Sequence, residues 1–392
     1  MPGKKKRASV KKTGSKSVIK RTSRAKVSAK SAAKFRGDPR LLQMRQKVLA
    51  FLSLKETKRI AIVSDNDEDG LTAAVQMKKF LDFSKVESQV FFYDHYSRRL
   101  SFPNEHFAKF SPEKTIFLDL GEAFISEVLE SLGNATGPFL VIDHHQGDVI
   151  RGNAFRCMVV KPRSFSDIEP SKYPTSKMVH DLFLGIDWLC AIGVIGDFAF
   201  DQWKDFLKSV EKKHHLTRAK LNELADLVAC ITSQYPEKIN TFFASVSSAK
   251  KPADLIETDF FALKKLFDKR LVMLKEMFKE KAEYYGDVGL YFFKSDPRFA
   301  SKLSNILSTE HKESTIIIYE QPGDLMKCSI RRQDFKVNCN LLAKAGIVSI
   351  PNAKGGGHIP AAGAAFPPEY FEQFKRQVRI FLLNNPPKER LG

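Results

Sequence analysis

The chain has 392 residues, of which 43% are hydrophobic, and its formal net charge is +19. This length allows two domains with ordinary cores. No apolar run approaches the roughly 20 residues that span a bilayer, and the Lys-rich start lacks the apolar segment of a secretory signal, so we predict no membrane association. Five scattered cysteines form no Cys-x-x-Cys pair. This argues against a disulfide framework or zinc ribbon and predicts buried thiols in a cytoplasmic protein.

The positive charge is concentrated at the start of the chain. Residues 1–40 contain fifteen Lys or Arg and one acid, Asp38, which amounts to +14 and leaves about +5 for the remainder. Because residues 1–38 have few large apolar side chains, we predict a disordered basic tail. Such a tail attracts single-stranded nucleic acid through salt-dependent contacts with phosphates. The alternative is a solubility or localisation tail with no part in chemistry.

Residues 39–200 alternate between helical and strand patterns. We predict strands at 59–64, 90–93, 115–120, 139–143 and 157–160, and helices at 41–54, 71–83 and 175–184. The last of these helices follows Pro174 and is expected to be capped by Thr175 or Ser176. Strands separated by helices are typical of βαβ units, so the fold class is α/β with a doubly wound parallel sheet.

Residues 201–286 show no strand signal and are predicted to form a helical linker region. Apolar residues at helical spacing between positions 253 and 285 indicate one long helix that bridges two domains, with its aromatic residues in the core. Residues 287–385 are predicted to form a smaller α/β domain. Its expected strands are 288–293, 315–319 and 326–330, followed by a Gly-rich loop and a helix at 368–383.

An acidic cluster follows the first predicted strand. Asp65, Asp67 and Asp69 alternate in the sequence, and three ionised carboxylates this close repel one another unless a cation is present. A solvated acidic turn or an acid-rich helix N-terminus would give the same pattern. A calcium loop of the EF-hand type is excluded because its twelfth position would be Gln76 and a β-strand precedes it.

Further polar residues follow other apolar runs. Asp119 comes after the apolar run at 115–118, and Asp143, His144 and His145 come after the apolar run at 139–142. Asp197 ends a segment of small apolar residues. Taken alone, Asp119 could be a helix cap and Asp197 a plain acid at a helix end. The carboxyl ends of parallel strands meet at one edge of the sheet. Oxygen and nitrogen ligands without thiolates favour Mn²⁺ or Mg²⁺ over structural zinc.

The ordered motifs resemble those of the DHH/DHHA1 phosphoesterase superfamily. The acidic cluster, Asp119, the Asp-His-His motif and Gly196-Asp197 are similar to its four DHH motifs. The Gly355-Gly356-Gly357-His358 segment resembles its DHHA1 substrate-binding domain, as does the upstream Arg331-Arg332 pair. Within the superfamily the chain looks like archaeal RecJ-like nucleases and short-oligonucleotide phosphodiesterases. The resemblance spans about residues 40–385.

The resemblance implies a site with two Mn²⁺ or Mg²⁺ ions. Asp65 and Asp67 would hold the first ion, whereas Asp69, His144 and Asp197 would hold the second, and Asp119 would bridge both. Family members often carry a histidine upstream of the acidic motif. This chain has none there, so Asp65 would serve instead.

The resemblance also implies roles around the ions. Asp143, His144 and His145 would form the catalytic motif, with Asp143 orienting the histidines and His145 facing the substrate phosphate. The substrate phosphates would contact the second domain, at positions Arg331, Arg332, Gly355, Gly356, Gly357 and His358.

Four functions are compatible with these motifs. The leading hypothesis is a two-metal exonuclease on single-stranded DNA or RNA, because a long polyanion benefits from the basic tail. The second is a phosphodiesterase for short oligoribonucleotides or cyclic dinucleotides. The third is a replisome scaffold related to RecJ, and replication or repair proteins are possible partners in any case. The fourth, an inorganic pyrophosphatase, is disfavoured because the second domain of that branch lacks the Gly-Gly-Gly-His segment.

Overall fold

The computed structural model describes residues 38–94, 98–145 and 156–387. The predicted basic tail, residues 1–38, lies outside this part of the chain apart from Asp38. Asp38 caps the first helix, because its side chain accepts a hydrogen bond from the Arg40 N–H at 2.9 Å and Pro39 occupies the first helical position.

The first half of the described chain contains a six-stranded sheet and its covering helices. In chain order the elements are α1 (Pro39–Leu52), β1 (Arg59–Asp65), α2 (Glu68–Phe83), β2 (Glu87–Asp94), β3 (Arg99–Leu100), α3 (Asn104–Phe110), β4 (Lys114–Leu118), α4 (Glu122–Leu132), β5 (Phe139–Ile142), β6 (Cys157–Val160), α5 (Thr175–Phe183) and α6 (Asp187–Gly196).

This first sheet has the strand order β3-β2-β1-β4-β5-β6. All neighbouring pairs from β2 to β6 are parallel, and only the short β3 is antiparallel. The chain moves outward from β1 to β2 and then returns to the other side of β1 with β4. The strand order therefore reverses between β1 and β4, and a crevice opens there at the carboxyl ends of the strands.

The first sheet is covered by helices on both faces, as its apolar strands require. Alternate residues of a strand point to opposite faces, so Ile60 and Ile62 pack into a core with α2, α5 and α6. Ala61 and Val63 pack into a second core with α3 and α4. Burial on both faces explains why the strands are continuous apolar runs, and it confirms the predicted doubly wound sheet.

The second half of the described chain begins with helices and ends with a second six-stranded sheet. In chain order the elements are α7 (Lys204–His214), α8 (Arg218–Gln234), α9 (Ile239–Ser248), α10 (Ala253–Ile256), α11 (Asp259–Lys281), β7 (Glu283–Tyr285), β8 (Leu290–Lys294), α12 (Ala300–Glu310), β9 (Thr315–Glu320), β10 (Met326–Arg331), α13 (Cys339–Gly346), β11 (Lys354–Gly357), β12 (Ala361–Phe366) and α14 (Phe371–Asn384).

Helix α11 connects the cores of the two halves. Phe260 and Leu263 near its start pack against the first core, whereas Phe267, Leu274 and Phe278 are buried against α12 and the second sheet. The aromatic stripe is therefore core, as predicted.

The structure corrects four details of the sequence predictions. The long helix is interrupted, because α10 and α11 are separate, and the segment predicted to be free of strands ends in β7. Helix α5 is preceded by Pro174 as its N-cap residue, and Thr175 is already helical. The expected Gly-rich loop is instead the edge strand β11, which pairs antiparallel with β12, since glycines accept extended backbone when a neighbouring strand supplies hydrogen bonds.

All five cysteines are free thiols, and four of them are buried. Among the helices that the structure describes, none has the length and apolar character needed to cross a membrane.

Candidate active site

The candidate site lies where β1, β4 and β5 end side by side. Ser64 of β1 is in register with Leu118 of β4, which is in register with Ile142 of β5. The residues that follow these positions therefore emerge at the same edge, at the reversal of strand order. The Asp119 N–H donates to the Ile142 carbonyl at 3.1 Å, which ties the first residue after β4 to the end of β5.

Asp119 is held in a strained conformation. Its backbone φ is +58°, in the left-handed region that non-glycine residues seldom adopt, and the residue is only 1% exposed. It is not a helix cap, because α4 is preceded by Gly121. Thr175 donates its hydroxyl to Asp119 Oδ1 at 2.9 Å. Strain of this kind persists where the surrounding structure holds a functional group in place.

The acidic cluster forms the turn between β1 and α2. Asp67 is the N-cap of α2 and accepts a hydrogen bond from the Gly70 N–H at 2.9 Å. Asp69 is buried and accepts from the N–H groups of Thr175 and Ser176 at 2.6 and 3.0 Å. These donors form the first turn of α5, whose dipole favours a negative charge. The three carboxylates are therefore both a close cluster and an acid-rich helix N-terminus, the two interpretations that the sequence allowed.

Gly70 permits this tight turn. A Cβ atom at position 70 would lie 2.5 Å from the Asp65 carbonyl oxygen, closer than any side chain tolerates. Only glycine lets the start of α2 approach the end of β1 so closely. Close contact with the end of β1 therefore explains why the acidic motif ends in glycine.

His144 presents one ring nitrogen to the carboxylates. Its Nδ1 lies 3.2 Å from the Pro170 carbonyl oxygen, to which it donates. This leaves Nε2 as the lone-pair atom, at 3.4 Å from Asp119 Oδ1 and 3.5 Å from Asp197 Oδ2. Burial lowers the pKa of His144 below its ordinary value, which keeps the imidazole neutral, the form that binds metal ions.

Asp143 supports the histidines from behind. It is 1% exposed, accepts from His145 Nδ1 at 2.7 Å and pairs with the ammonium group of Lys161. Lys161 also donates to the His145 carbonyl at 2.8 Å. Burial alone would raise the pKa of Asp143, but the His145 hydrogen bond and the nearby positive charges lower it overall. Asp143 is therefore an ionised carboxylate whose partners are His145 and Lys161.

His145 is half exposed beside the cluster. Burial of part of its ring lowers the pKa, but the Asp143 hydrogen bond and charge, followed by the charges of Asp67 and Asp65, raise it to about 9. The imidazole is consequently a cation at neutral pH. A partly exposed cation at the edge of an acidic site can face a phosphate.

The side chains fall into three groups whose ligand atoms lie within 4.8 Å of one another. The groups are Asp65 with Asp67 and Asp119, Asp69 with His144 and Asp197, and Asp119 with His144 and His145. The structure thus brings together all six residues that the sequence predicts as metal ligands. Asp119 belongs to the first and third of these groups, and His144 to the second and third, so these two residues link all three groups.

The chemistry of this cluster fits divalent cations. Asp197 Oδ2 is buried and accepts no hydrogen bond from the described residues. Burial and the charges of Asp69 and Asp67 raise the pKa of Asp197 to about 9, and the same causes raise the pKa of Asp119 well above its ordinary value. Carboxylates this crowded are costly to ionise without a cation. Oxygen-rich ligand sets with one imidazole suit Mn²⁺ or Mg²⁺.

The predicted phosphate-binding arginines have different environments. Arg332 is 2% exposed and forms a two-pronged pair with Asp334, both distances being 2.8 Å. Its guanidinium is engaged by Asp334 within the fold, and its contact with substrate stays a prediction. Arg331 is partly buried, and its Nε donates to Asn305 Oδ1 at 2.7 Å.

The glycine segment lies at the edge of the second sheet. The Gly357 N–H donates to Asn340 Oδ1 at 3.1 Å, and the His358 N–H donates to the Ala361 carbonyl at 2.7 Å. A Cβ atom at position 357 would lie 2.4 Å from the Ala361 oxygen, so this turn requires glycine. The His358 side chain is exposed, and β11 leaves backbone accessible at the sheet edge.

A cavity of about 480 Å³ lies between the two halves of the molecule. From the first half it is lined by Asn66, Asp67 and Glu68, next to the carboxylate cluster, and from the second half by Lys302 and Asn305 of α12. Asn305 is the residue that contacts Arg331. A ligand in this cavity can therefore reach the acidic cluster and the neighbourhood of Arg331 together.

Sequence reasoning missed several residues of the site. Lys161 pairs with Asp143, and Thr175 binds both Asp69 and Asp119. Lys302 and Asn305 line the cavity. Pro174 and Thr175 indicated only that a helix starts there, and no sequence motif pointed to the other residues.

Several solved structures resemble this chain in fold. A DHH domain described as a member of the s1p family of ribosomal proteins has a TM-score of 0.67 at 16% identity, with 94% of this chain and 99% of that one covered. An exonuclease RecJ bound to manganese has a TM-score of 0.65 at 17% identity, with 90% of this chain and 96% of that one covered. RecJ from Thermus thermophilus in complex with Mn²⁺ has a TM-score of 0.65 at 18% identity, covering 90% of this chain.

The chain has the DHH/DHHA1 fold. The likeness extends over both sheets, because nine tenths or more of the chain is covered in each comparison. The chain spans 56% of the length of the Thermus RecJ. No protein-family model and no curated protein sequence matches it. The DHH half carries the carboxylate cluster, and the DHHA1 half carries Arg331 and the glycine strand.

Proposed function

We propose that this protein is a two-metal-ion phosphodiester hydrolase that acts as an exonuclease on single-stranded DNA or RNA. The observation that carries the proposal is the pair of ligand groups around Asp119, at the reversal of strand order and beside the inter-domain cavity. Proteins of the same fold are described as RecJ exonucleases and bind manganese, which supports this choice of chemistry.

The residues present would hold two ions. Asp65 and Asp67 are suited to the first, and His144 and Asp197 with Asp69 to the second. Asp119, which groups with Asp65 and Asp67 and lies 3.4 Å from His144 Nε2, would contact both. When bound, Mn²⁺ or Mg²⁺ supplies an acidified water and neutralises charge on a phosphate. Thr175 fixes the bridging carboxylate through its hydroxyl.

The remaining residues of the motif act on the substrate side. His145 is a cation held by Asp143 and would donate to a non-bridging phosphate oxygen, stabilising the charge that develops there. Asp143 and Lys161 keep the imidazole in this orientation. No side-chain nucleophile is needed in this scheme.

The DHHA1 half would hold the rest of the substrate. Strand β11 lacks side chains at Gly355, Gly356 and Gly357, so a phosphate can approach its backbone closely. Arg331 adds a guanidinium near the cavity, and His358 is exposed at the end of the strand. These contacts would position the chain of phosphates while the carboxylate cluster performs hydrolysis.

The direct test is degradation of single-stranded DNA and RNA labelled at the 5′ or the 3′ end, with Mn²⁺. We expect nucleotides to be released progressively from one end, and activity to be lost on addition of EDTA. Asp119→Asn and Asp143→Ala should be inactive, whereas Asp187→Asn, a charge change at the far end of α6, should be active. An Asp119→Asn protein as active as the wild type would refute the proposal.

A phosphodiesterase for short oligoribonucleotides or cyclic dinucleotides is the second candidate. It is favoured by the cavity, which is bounded by the second half of the molecule and has a volume typical of small-ligand sites. Comparing turnover of a dinucleotide with that of a labelled 20-mer separates the two functions. Faster turnover of the dinucleotide at equal concentration would favour the second candidate.

A scaffold role alone is disfavoured because the complete ligand set is present. Replication or repair partners, and a cytoplasmic location, stay predictions from the sequence.

A further inference from the structure

An unusual phenylalanine follows the Asp197 carboxylate. The end of α6 is closed by hydrogen bonds from Phe198 N–H to the Ile195 carbonyl at 3.1 Å and from Ala199 N–H to the Val194 carbonyl at 3.0 Å. These two hydrogen bonds form a Schellman motif, in which the first residue after the C-cap adopts left-handed backbone and is usually glycine. Phe198 occupies it with a φ of +52°, so a bulky side chain stands where the backbone disfavours one.

The ring of Phe198 gains little from burial. The residue is 65% exposed, and Phe200 is 39% exposed, whereas Ala199 between them is fully buried. Two aromatic side chains are thus directed outward from one short segment. Neither backbone preference nor core packing accounts for the ring at position 198, which leaves a role at the surface.

The two rings line a second cavity, of about 310 Å³, beside the inter-domain one. Its polar walls are Glu68, Arg218, Asn222, Asp226 and Lys302. Phe198 and Lys302 also line the larger cavity, so the two spaces meet at this ring. The smaller cavity is therefore an extension of the proposed substrate cleft on the Asp197 side.

The chemistry of this extension suits a planar, polar-edged ligand. The aromatic rings offer stacking faces, and the Asn222 amide and the Glu68 carboxyl group lie in the same lining. Arg218 and Lys302 also line it, and they form ion pairs with Glu211 and Asp226. A nucleobase stacks on an aromatic ring and hydrogen-bonds through its edge to amide and carboxyl groups. Phe198 directly follows Asp197 in the chain, and Asp197 Oδ2 is 3.5 Å from His144 Nε2, so the backbone at position 198 adjoins the proposed hydrolytic centre.

We propose that Phe198 is the stacking platform, and the smaller cavity the pocket, for the base of the terminal nucleotide of the substrate. This inference rests on the proposed function, because it assumes that the strand end lies at the carboxylate cluster. Stacking recognises any base through its π face, so the pocket would give affinity for an end that carries a base without selecting its identity.

The test is equilibrium binding of fluorescent single-stranded 10-mers in EDTA, where no hydrolysis occurs. Three oligonucleotides are compared: intact, abasic at the 5′ end and abasic at the 3′ end. We expect one abasic form to bind at least about fivefold more weakly, as for loss of one base stack. Equal binding of all three would overturn the inference.

Variants assign the effect to the ring. Phe198→Gly should abolish the difference between intact and abasic ends, with an equal or higher melting temperature because glycine accepts the left-handed backbone. Phe198→Trp should retain it, as should Phe83→Ala, which removes an 82% exposed phenylalanine that lines neither cavity. Discrimination that persists in Phe198→Gly would also overturn the inference. Failure of the proposed function would appear separately, as absence of Mn²⁺-dependent hydrolysis.

Discussion

Replacing Asp119 by asparagine should remove most of the stabilisation that Mn²⁺ gives to this protein. Asparagine has the same shape and can still accept the Thr175 hydrogen bond at 2.9 Å. It removes the one carboxylate that belongs to two of the three ligand groups. Because burial raises the pKa of Asp119, loss of its charge should leave the metal-free protein as stable as before, or more stable.

The expected size follows from mass action. An ion at a hundredfold excess over its Kd stabilises the folded state by about 2.7 kcal/mol. At about 2.1 cal/mol/K per residue, a folded body of this size has an unfolding entropy near 0.7 kcal/mol/K, so each ion should raise the Tm by about 4 °C. If the Kd were a hundredfold weaker, each ion would stabilise the folded state by only about 0.4 kcal/mol and raise the Tm by less than about 1 °C.

The assay is thermal unfolding followed by near-ultraviolet circular dichroism, with EDTA and with increasing Mn²⁺. The wild type should shift by about 8 °C for two ions at that excess, and Asp119→Asn by about 1 °C or less. Asp187→Asn is the matched control, because Asp187 pairs with Lys213 and His214 and belongs to none of the ligand groups. An undiminished Mn²⁺ shift in Asp119→Asn would refute the bridging role.

The same geometry and charges lead to three further predictions. The raised pKa of Asp197, about 9, means that the metal-free folded state holds a proton that the unfolded chain has released above about pH 4. Stability in EDTA should therefore fall as pH rises from 5 to 8.5, and urea titrations of Asp197→Asn should show a flatter dependence. Gly193→Ala would place a Cβ atom 2.2 Å from Ser176 Oγ and 2.7 Å from Asp69 Oδ1. We expect the free energy of unfolding, measured in urea, to fall by about 1–3 kcal/mol, and calorimetry to show weaker Mn²⁺ binding. Deleting residues 1–35 should weaken binding of a 20-mer and reduce the slope of log Kd against log salt, with little change for a dinucleotide; an unchanged slope would contradict the role of the tail.

Much of the DHH half could be predicted because its signals are local. An apolar run buried on both faces identifies a parallel strand, and the polar residue that ends it marks the carboxyl edge. Asp65, Asp119 and Asp143 were placed at the strand ends in this way. Three parallel strands that end in ligand-type side chains share an edge, which predicts a metal site there, whereas the individual ligands were implied by the resemblance to the DHH/DHHA1 superfamily.

Other features depended on contacts between distant segments. The two arginines at 331 and 332 are alike in sequence, yet only the pairing of Arg332 with Asp334 commits one of them to the fold. The sequence of the glycine segment predicts a loop, but pairing with β12 makes it a strand. Lys161, Thr175 and their hydrogen bonds to the carboxylates carry no motif at all.

The sequence by itself determined the chemistry of this protein: a doubly wound sheet, with carboxylates and imidazoles at its strand ends. Those properties depend on apolar periodicity and on residue type, which are local. The tertiary structure alone decided which atoms face one another, since His144 meets Asp197 only because α6 packs against α2 and α5. It also decided that Phe198, a residue without a sequence motif that directly follows Asp197, lines both cavities.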